Sequence, residues 1–525
     1  MRFTPVAVGL LVALNLPLSI APVSAQSAQG AHSVLAAVKA HDAAAINRLL
    51  KQGADVNAPD VDGTTPLMAA VHERDTAMIQ ALLAAGADVD ATNRYGATAL
   101  HTAARNGDAR SAELLLKAGA NPGTALPEGE TALMAAARTG NLELINALLA
   151  GGKGKVGDVN RADPNYKEGW KGQTALMWAA AEGHADAITA LIAGGANPNE
   201  FSAEIAVPQP NPERRSGGFV YPNIPKGRMT ALHFAARNGN LDATMALVRG
   251  KADMNLVDAD GSSAVILAVL NGHPDVAVAL LEAGADPKVA DKFGRTALFV
   301  ATDMNTREAE ARPAPVVTGD KTYVDVIKTT LAKGADVNAS LKTALPAMMA
   351  QSGFRNGVLR AGATSFLRAS MSADLEVMRI LLGAGADPLK ATDKDDGPAK
   401  QPFFGFNTGN TTPLMAAAGV GWREEISRGR VPDAIEAIKL LLSKGADINQ
   451  ANNAGNTPLI GAAIRGEPAL VEFLLQNGAN AGAKNGIGMT AMDVALGNSD
   501  NSMLPNPRVA AVLGKYKPVA KLGAR

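Results

Sequence analysis

Residues 62–90 read DGTTPLMAAVHERDTAMIQALLAAGADVD, and this stretch decides the fold. Thr65 carries the side-chain oxygen that caps a helix, and Pro66 suits the first helical turn. Leu67, Ala69 and Ala70 follow, with small residues that let a neighbouring helix approach. After a short break, Met78, Ile79, Leu82 and Leu83 recur at helical spacing over residues 76–84. Gly86 ends that second helix, as glycine does where the backbone turns left-handed. Residues 87–96, ADVDATNRYG, supply a polar hairpin with glycine at its tip. One helix pair cannot bury its own apolar face, so such units must stack.

The unit recurs along the chain. Its Thr/Ser-x-apolar-x-x-Ala start stands at Thr65, Thr98, Thr131, Thr174, Thr230, Ser263, Thr296, Thr364, Thr412, Thr457 and Thr490. Its Gly-Ala-Asp-like turn begins at Gly53, Gly86, Gly119, Gly152, Gly195, Lys251, Gly284, Gly334, Gly385, Gly445 and Gly478. Regular cycles run 21 residues from start to turn and 12 from turn to start, a period of 33.

At TPLMAA, TALHTAA, TALHFAA, GADVN and GADIN the chain resembles the ankyrin repeat. The resemblance spans roughly residues 31–513. It implies an all-α repeat solenoid, a curved stack of about 11–12 helix-turn-helix units with β-hairpin fingers and several long finger insertions. It also implies a protein partner held by the fingers and the concave inner helices. The chain further resembles large exported bacterial ankyrin proteins with irregular insertions, a group that supplies no further function.

Composition excludes several other classes. At 525 residues the chain is too long for one ordinary core. Lys+Arg and Asp+Glu number 50 each, so no net field draws nucleic acid. There is no cysteine, hence no disulfide, thiolate metal site or cysteine nucleophile. Residues 1–25 read as a signal peptide: Arg2, an apolar run over 6–16 too short to span a bilayer, and Val23-Ser24-Ala25 before cleavage. The expected organisation continues with an N-terminal capping repeat at 26–63, an array at 64–500 and a C-terminal cap with a basic tail at 501–525.

The period is interrupted near 151–172, 198–228, 303–320, 339–363, 389–411 and 419–433. Four of these read as finger insertions of 10, 23, 18 and 15 residues, and two as stretched helix-helix turns. Loop length alone proves little, since lengthening a loop from 12 to 35 residues costs only about 1 kcal/mol. Composition says more. Of 20 aromatic residues, half fall in or beside the breaks, and disordered loops are usually poor in them. Candidate partner contacts are therefore Tyr166, Trp170, Phe219, Tyr221, Phe403, Phe404, Phe406 and Trp422. Arg355 and Arg360, in an insertion with three cations and no acid, join them. The alternative is that such insertions pack down on the array as plugs.

Catalytic patterns are missing from the sequence. His101 and His233 fill the fourth place of TALH, a structural place in the resembling family. There is no HExxH, no G-x-S-x-G and no phosphate-binding loop followed by Lys-Ser/Thr. The expectation is a non-enzymatic protein-binding scaffold of the cell envelope, periplasmic or alternatively secreted. It is expected to be monomeric, with a protein partner, no nucleic acid, no cofactor, no metal and no integral span after signal removal. A small-ligand receptor or enzyme built from the insertions, or a secreted factor acting on another cell, remains as the alternative.

Overall fold

We describe a computed structural model of the chain, which covers residues 33–150, 162–206, 226–305, 316–345, 358–394, 409–421, 430–497 and 505–516. These residues form 24 helices in consecutive helix-turn-helix pairs, from Val34–Lys39 with Ala43–Lys51 to Ala491–Ala495 with Pro507–Gly514. First helices pack on first helices and second on second, so the molecule is an all-α repeat solenoid.

The recurring Thr/Ser residue starts each first helix. The Oγ1 of Thr65 accepts the backbone N–H of Met68 at 3.3 Å, and Thr131, Thr174, Thr412 and Thr457 cap in the same way. Each bond satisfies one of the donors that a helix start leaves unpaired. Leu67, Leu100, Leu133, Leu176 and Leu232, two places after that cap, are all buried at 1% exposure, so one residue per repeat builds a continuous core.

The hairpin fingers are tied to one another as well as to the helices. In the first, fourth and later fingers one backbone rung per step links neighbours: Arg94 N–H to Asp62 C=O at 3.0 Å, Gly169 to Glu128 at 3.1 Å, Lys292 to Asp260 at 3.0 Å. The step from the second to the third finger lacks its rung. Pro127 stands where Arg94 and Gly169 supply the donor, and proline has no N–H. A side-chain ladder runs alongside. Asn57 accepts from Asp88 N–H at 2.8 Å, Asp90 from Asn121 at 2.8 Å, and Asn165 from Asn197 at 2.7 Å.

Three insertions leave their fingers through paired stems. Glu204–Ile205 pairs antiparallel with Lys226–Gly227. Ser340 bridges Thr364, and Thr392 exchanges backbone bonds with Asn410 and Thr411. The stem residues 340–345 and 358–363 fold inward: Leu341, Leu345, Val358 and Leu359 are buried against Phe293, Phe299, Leu367 and Met371. This stem plugs the inner face in the second half of the array. Beneath it Arg368, fully buried, meets Asp303 at 2.7 Å.

One boundary differs from the sequence reading. Gly152, read from sequence as the start of this repeat's turn, lies outside the described residues. The described turn of this repeat is Ala162-Asp163-Pro164-Asn165: Ala162 is buried like Ala120 and Ala285, and Asn165 takes the ladder place of Asn57. The ten extra residues are therefore split between a segment ahead of Ala162 and a single residue in the finger tip.

Candidate functional site

The extra residue at the tip is the first feature of the site. In most fingers an Asp or Asn accepts the N–H four residues on: Asp60 from Thr64, Asn93 from Ala97, Asp291 from Arg295, Asn452 from Asn456, each at 2.9–3.0 Å. In the fourth finger the span is five, from Glu168 to Gln173 at 3.0 Å. Glutamate, one methylene longer than aspartate, bridges the longer tip and also accepts from Trp170 at 2.6 Å and Lys171 at 2.8 Å. The additional residue is accommodated by projecting Trp170 into solvent, where it is 79% exposed.

Trp170 forms one wall of a cleft of about 450 Å³ on the inner face. Glu128 and Glu130 come from the third finger, and Glu168, Lys171 and Gln173 from the fourth. The helices Ala132–Thr139 and Ala175–Glu182 close it with Arg138, Met177, Trp178 and Glu182. Two indoles thus face a set of carboxylates, each indole carrying a cation of this chain. Lys171 Nζ lies 4.3 Å from the Trp170 ring centre, and the Arg138 guanidinium lies 5.3 Å from that of Trp178. Arg138 also pairs with Glu130 at 3.6 Å. The Nε1 of Trp178 is shielded from solvent and finds no hydrogen-bond acceptor among the described residues.

Of the residues singled out from sequence, Trp170 lines this cleft, and Tyr166, 38% exposed, lies in the same finger. Arg360 is half-buried in the inward-folded stem residues 358–363, beside buried Leu359, rather than on an open loop. Phe219, Tyr221, Arg355, Phe403, Phe404, Phe406 and Trp422 lie outside the described residues. Sequence reasoning missed Trp178, Arg138, Glu128, Glu130 and Glu182. A signal existed for Trp178. It stands four places after the capping Thr174, where other first helices carry Ala69, Thr102 and Ala135, so a large ring there fills the inner face.

The TALH histidines are held by their own helix starts. Nδ1 of His233 accepts the Thr230 N–H at 3.0 Å, and Nδ1 of His101 accepts that of Thr98 at 3.3 Å. Burial pushes the His233 imidazole down to about 4, and burial lowers His101 as well. Neither ring faces the cleft. In the sixth finger Asp258 is pushed up to about 7 by burial and by the neighbouring Asp260. Among the described residues no group of three or more His, Asp or Glu is placed to hold a metal ion.

The family model described as ankyrin repeats (3 copies) matches residues 34–125, 112–202, 232–311, 366–485 and 430–504, most of the chain. The chain belongs to the ankyrin-repeat family. Ankyrin repeats generally serve as protein–protein interaction modules, and proteins built from them are typically binding scaffolds rather than enzymes. Among curated proteins, the mouse ankyrin repeat and SOCS box protein 16 is 45% identical over 60 residues, 11% of this chain and 13% of that protein. The chain thus spans only a small part of that relative. Among solved structures, the human ASB11 ankyrin repeat domain matches with 24% identity and a TM-score of 0.38, over 48% of this chain and 98% of that one. No helix among the described residues is long and apolar enough to cross a membrane.

Proposed function

We propose that the chain is a protein-binding scaffold without catalytic activity, exported through residues 1–25 to the cell envelope, whose partner seats on the inner face around Trp170 and Trp178. The observation that carries this reading is the cleft itself. A tip lengthened by one residue puts an exposed indole opposite a second indole on a first helix. Exposed aromatics of this kind dominate the energetics of protein interfaces. The stem residues 340–345 and 358–363 support the same location, because they cover the inner face farther along the array.

The test is photo-crosslinking in the native cell. A photoreactive phenylalanine replaces Trp170 in one strain and Lys117, on the outer side of a second helix, in another. The expected result is a discrete crosslinked protein at 170 and none at 117. Equal labelling at both sites, or none at 170, rejects the inner face as the binding surface. Fractionation of the same cells tests export: a full-length chain still carrying residues 1–25 in the cytosol rejects the envelope assignment.

A further inference from the structure

The cleft has a chemical preference, and the inference from it rests on the protein-binding reading above. The whole chain balances 50 basic against 50 acidic residues, but the cleft does not. Its carboxylates, Glu128, Glu130, Glu168 and Glu182, outnumber its cations, Arg138 and Lys171. Glu168 is engaged by the backbone of its own tip. Glu130 meets Arg138 only at 3.6 Å, and its Oε1 is shielded from solvent without a hydrogen bond among the described residues. Glu128 and Glu182 have no ion-pair partner within 4.0 Å among those residues. The site therefore holds more negative than positive charge, with Glu128 and Glu182 left over, between two aromatic walls that favour a cation or an alkyl stem.

On the protein-binding reading the cation comes from a polypeptide, whose long basic side chain offers both an alkyl stem for the exposed Trp170 ring and a charge for the carboxylates.

We propose that the cleft takes a lysine or arginine side chain from an extended segment of the partner. The stem lies along Trp170 and the cationic end faces Glu128, Glu130 and Glu182. The long positive side chain supplies the complementarity that the finger tips alone lack.

The test uses the whole chain after signal removal, panned against random dodecapeptides displayed on phage, with selected peptides resynthesised for fluorescence anisotropy. The expected result is a shared lysine or arginine whose replacement by norleucine weakens binding at least about tenfold. Trp170→Ser and the double variant Glu128→Gln, Glu182→Gln should each weaken it similarly, with binding falling as salt rises. Trp170, Glu128 and Glu182 are solvent-facing, and unchanged circular dichroism checks that each variant folds. Selected peptides without a basic residue, or basic peptides held equally by Trp170→Ser, overturn the inference while leaving the scaffold reading intact. Phenyltrimethylammonium shifting the tryptophan emission while no peptide is enriched also overturns it, and assigns the cleft to a small cation. Crosslinking at 170 that fails altogether rejects the scaffold reading instead.

Discussion

The carboxylate of Glu168 accepts the backbone N–H of Gln173 at 3.0 Å across a tip one residue longer than the ordinary four-residue span. Length of side chain and length of loop are matched. Glu168→Asp should therefore lose contact with part of its tip and cost about 1–2 kcal/mol. Deleting Trp170 in the Glu168→Asp background should restore an ordinary four-residue tip. We expect urea midpoints to fall for Glu168→Asp alone and to recover in the double variant, which nevertheless loses crosslinking from the cleft.

His233 ties stability to pH. Its folded value of about 4 lies below the ordinary 6.5, so its neutral form is the one the fold holds. The associated stability is full above pH 6.5 and is lost as pH falls through about 4, because the unfolded chain takes up the proton first. The size is about 3 kcal/mol from a depression of this kind. His233→Gln keeps an acceptor for the Thr230 N–H, as glutamine does in capping boxes. Urea titrations between pH 7 and 4 should show a shallower loss for the variant than for the parent chain.

Asp258 works in the opposite sense. Its folded value is raised to about 7, so the stability it contributes is complete below its ordinary 3.8 and is lost as pH rises through about 7. Asn93, Asn452 and Asn485 fill the same tip place in other fingers with the same acceptor geometry. Asp258→Asn should thus raise the urea midpoint at pH 8, by on the order of 1 kcal/mol, and leave it unchanged at pH 4.

Lys251, with φ of +64°, occupies the turn position that Gly53, Gly86, Gly119, Gly195, Gly284, Gly334, Gly385, Gly445 and Gly478 hold in their repeats. A side chain there is strained, whereas Gly86, Gly119 and Gly284 take the same conformation freely. Lys251→Gly should raise stability by roughly 0.5–1 kcal/mol, read as an increase in the thermal midpoint.

The repeat was legible because each of its signals has a local cause. A threonine caps, a leucine two places on is buried, and a glycine turns the chain, so Thr65, Leu67 and Gly86 announce the unit without tertiary information. The site was only half legible. Trp170 stood out as an aromatic in a break, yet its origin as a single inserted tip residue was hidden. A glycine pair at Gly151-Gly152 imitates the usual turn, so all the extra residues looked like one block. Trp178 sits inside a regular helix start and reads as core. Its partner carboxylates come from a different repeat, and only stacking brings them to it. Likewise Leu341 and Leu359 look like ordinary loop aliphatics until the stem folds them onto Phe299.

Pro127 leaves the backbone ladder open between the second and third fingers, immediately beside Glu128 and Glu130. Tension applied along the solenoid is shared by the rungs wherever they exist. At Pro127 only side chains and helix packing resist it. The array therefore has a soft link, and it lies at the margin of the cleft. Stretching or bending would part the second and third fingers there first, while the Gly169–Glu128 rung keeps the third and fourth fingers, which line the cleft, together as one block.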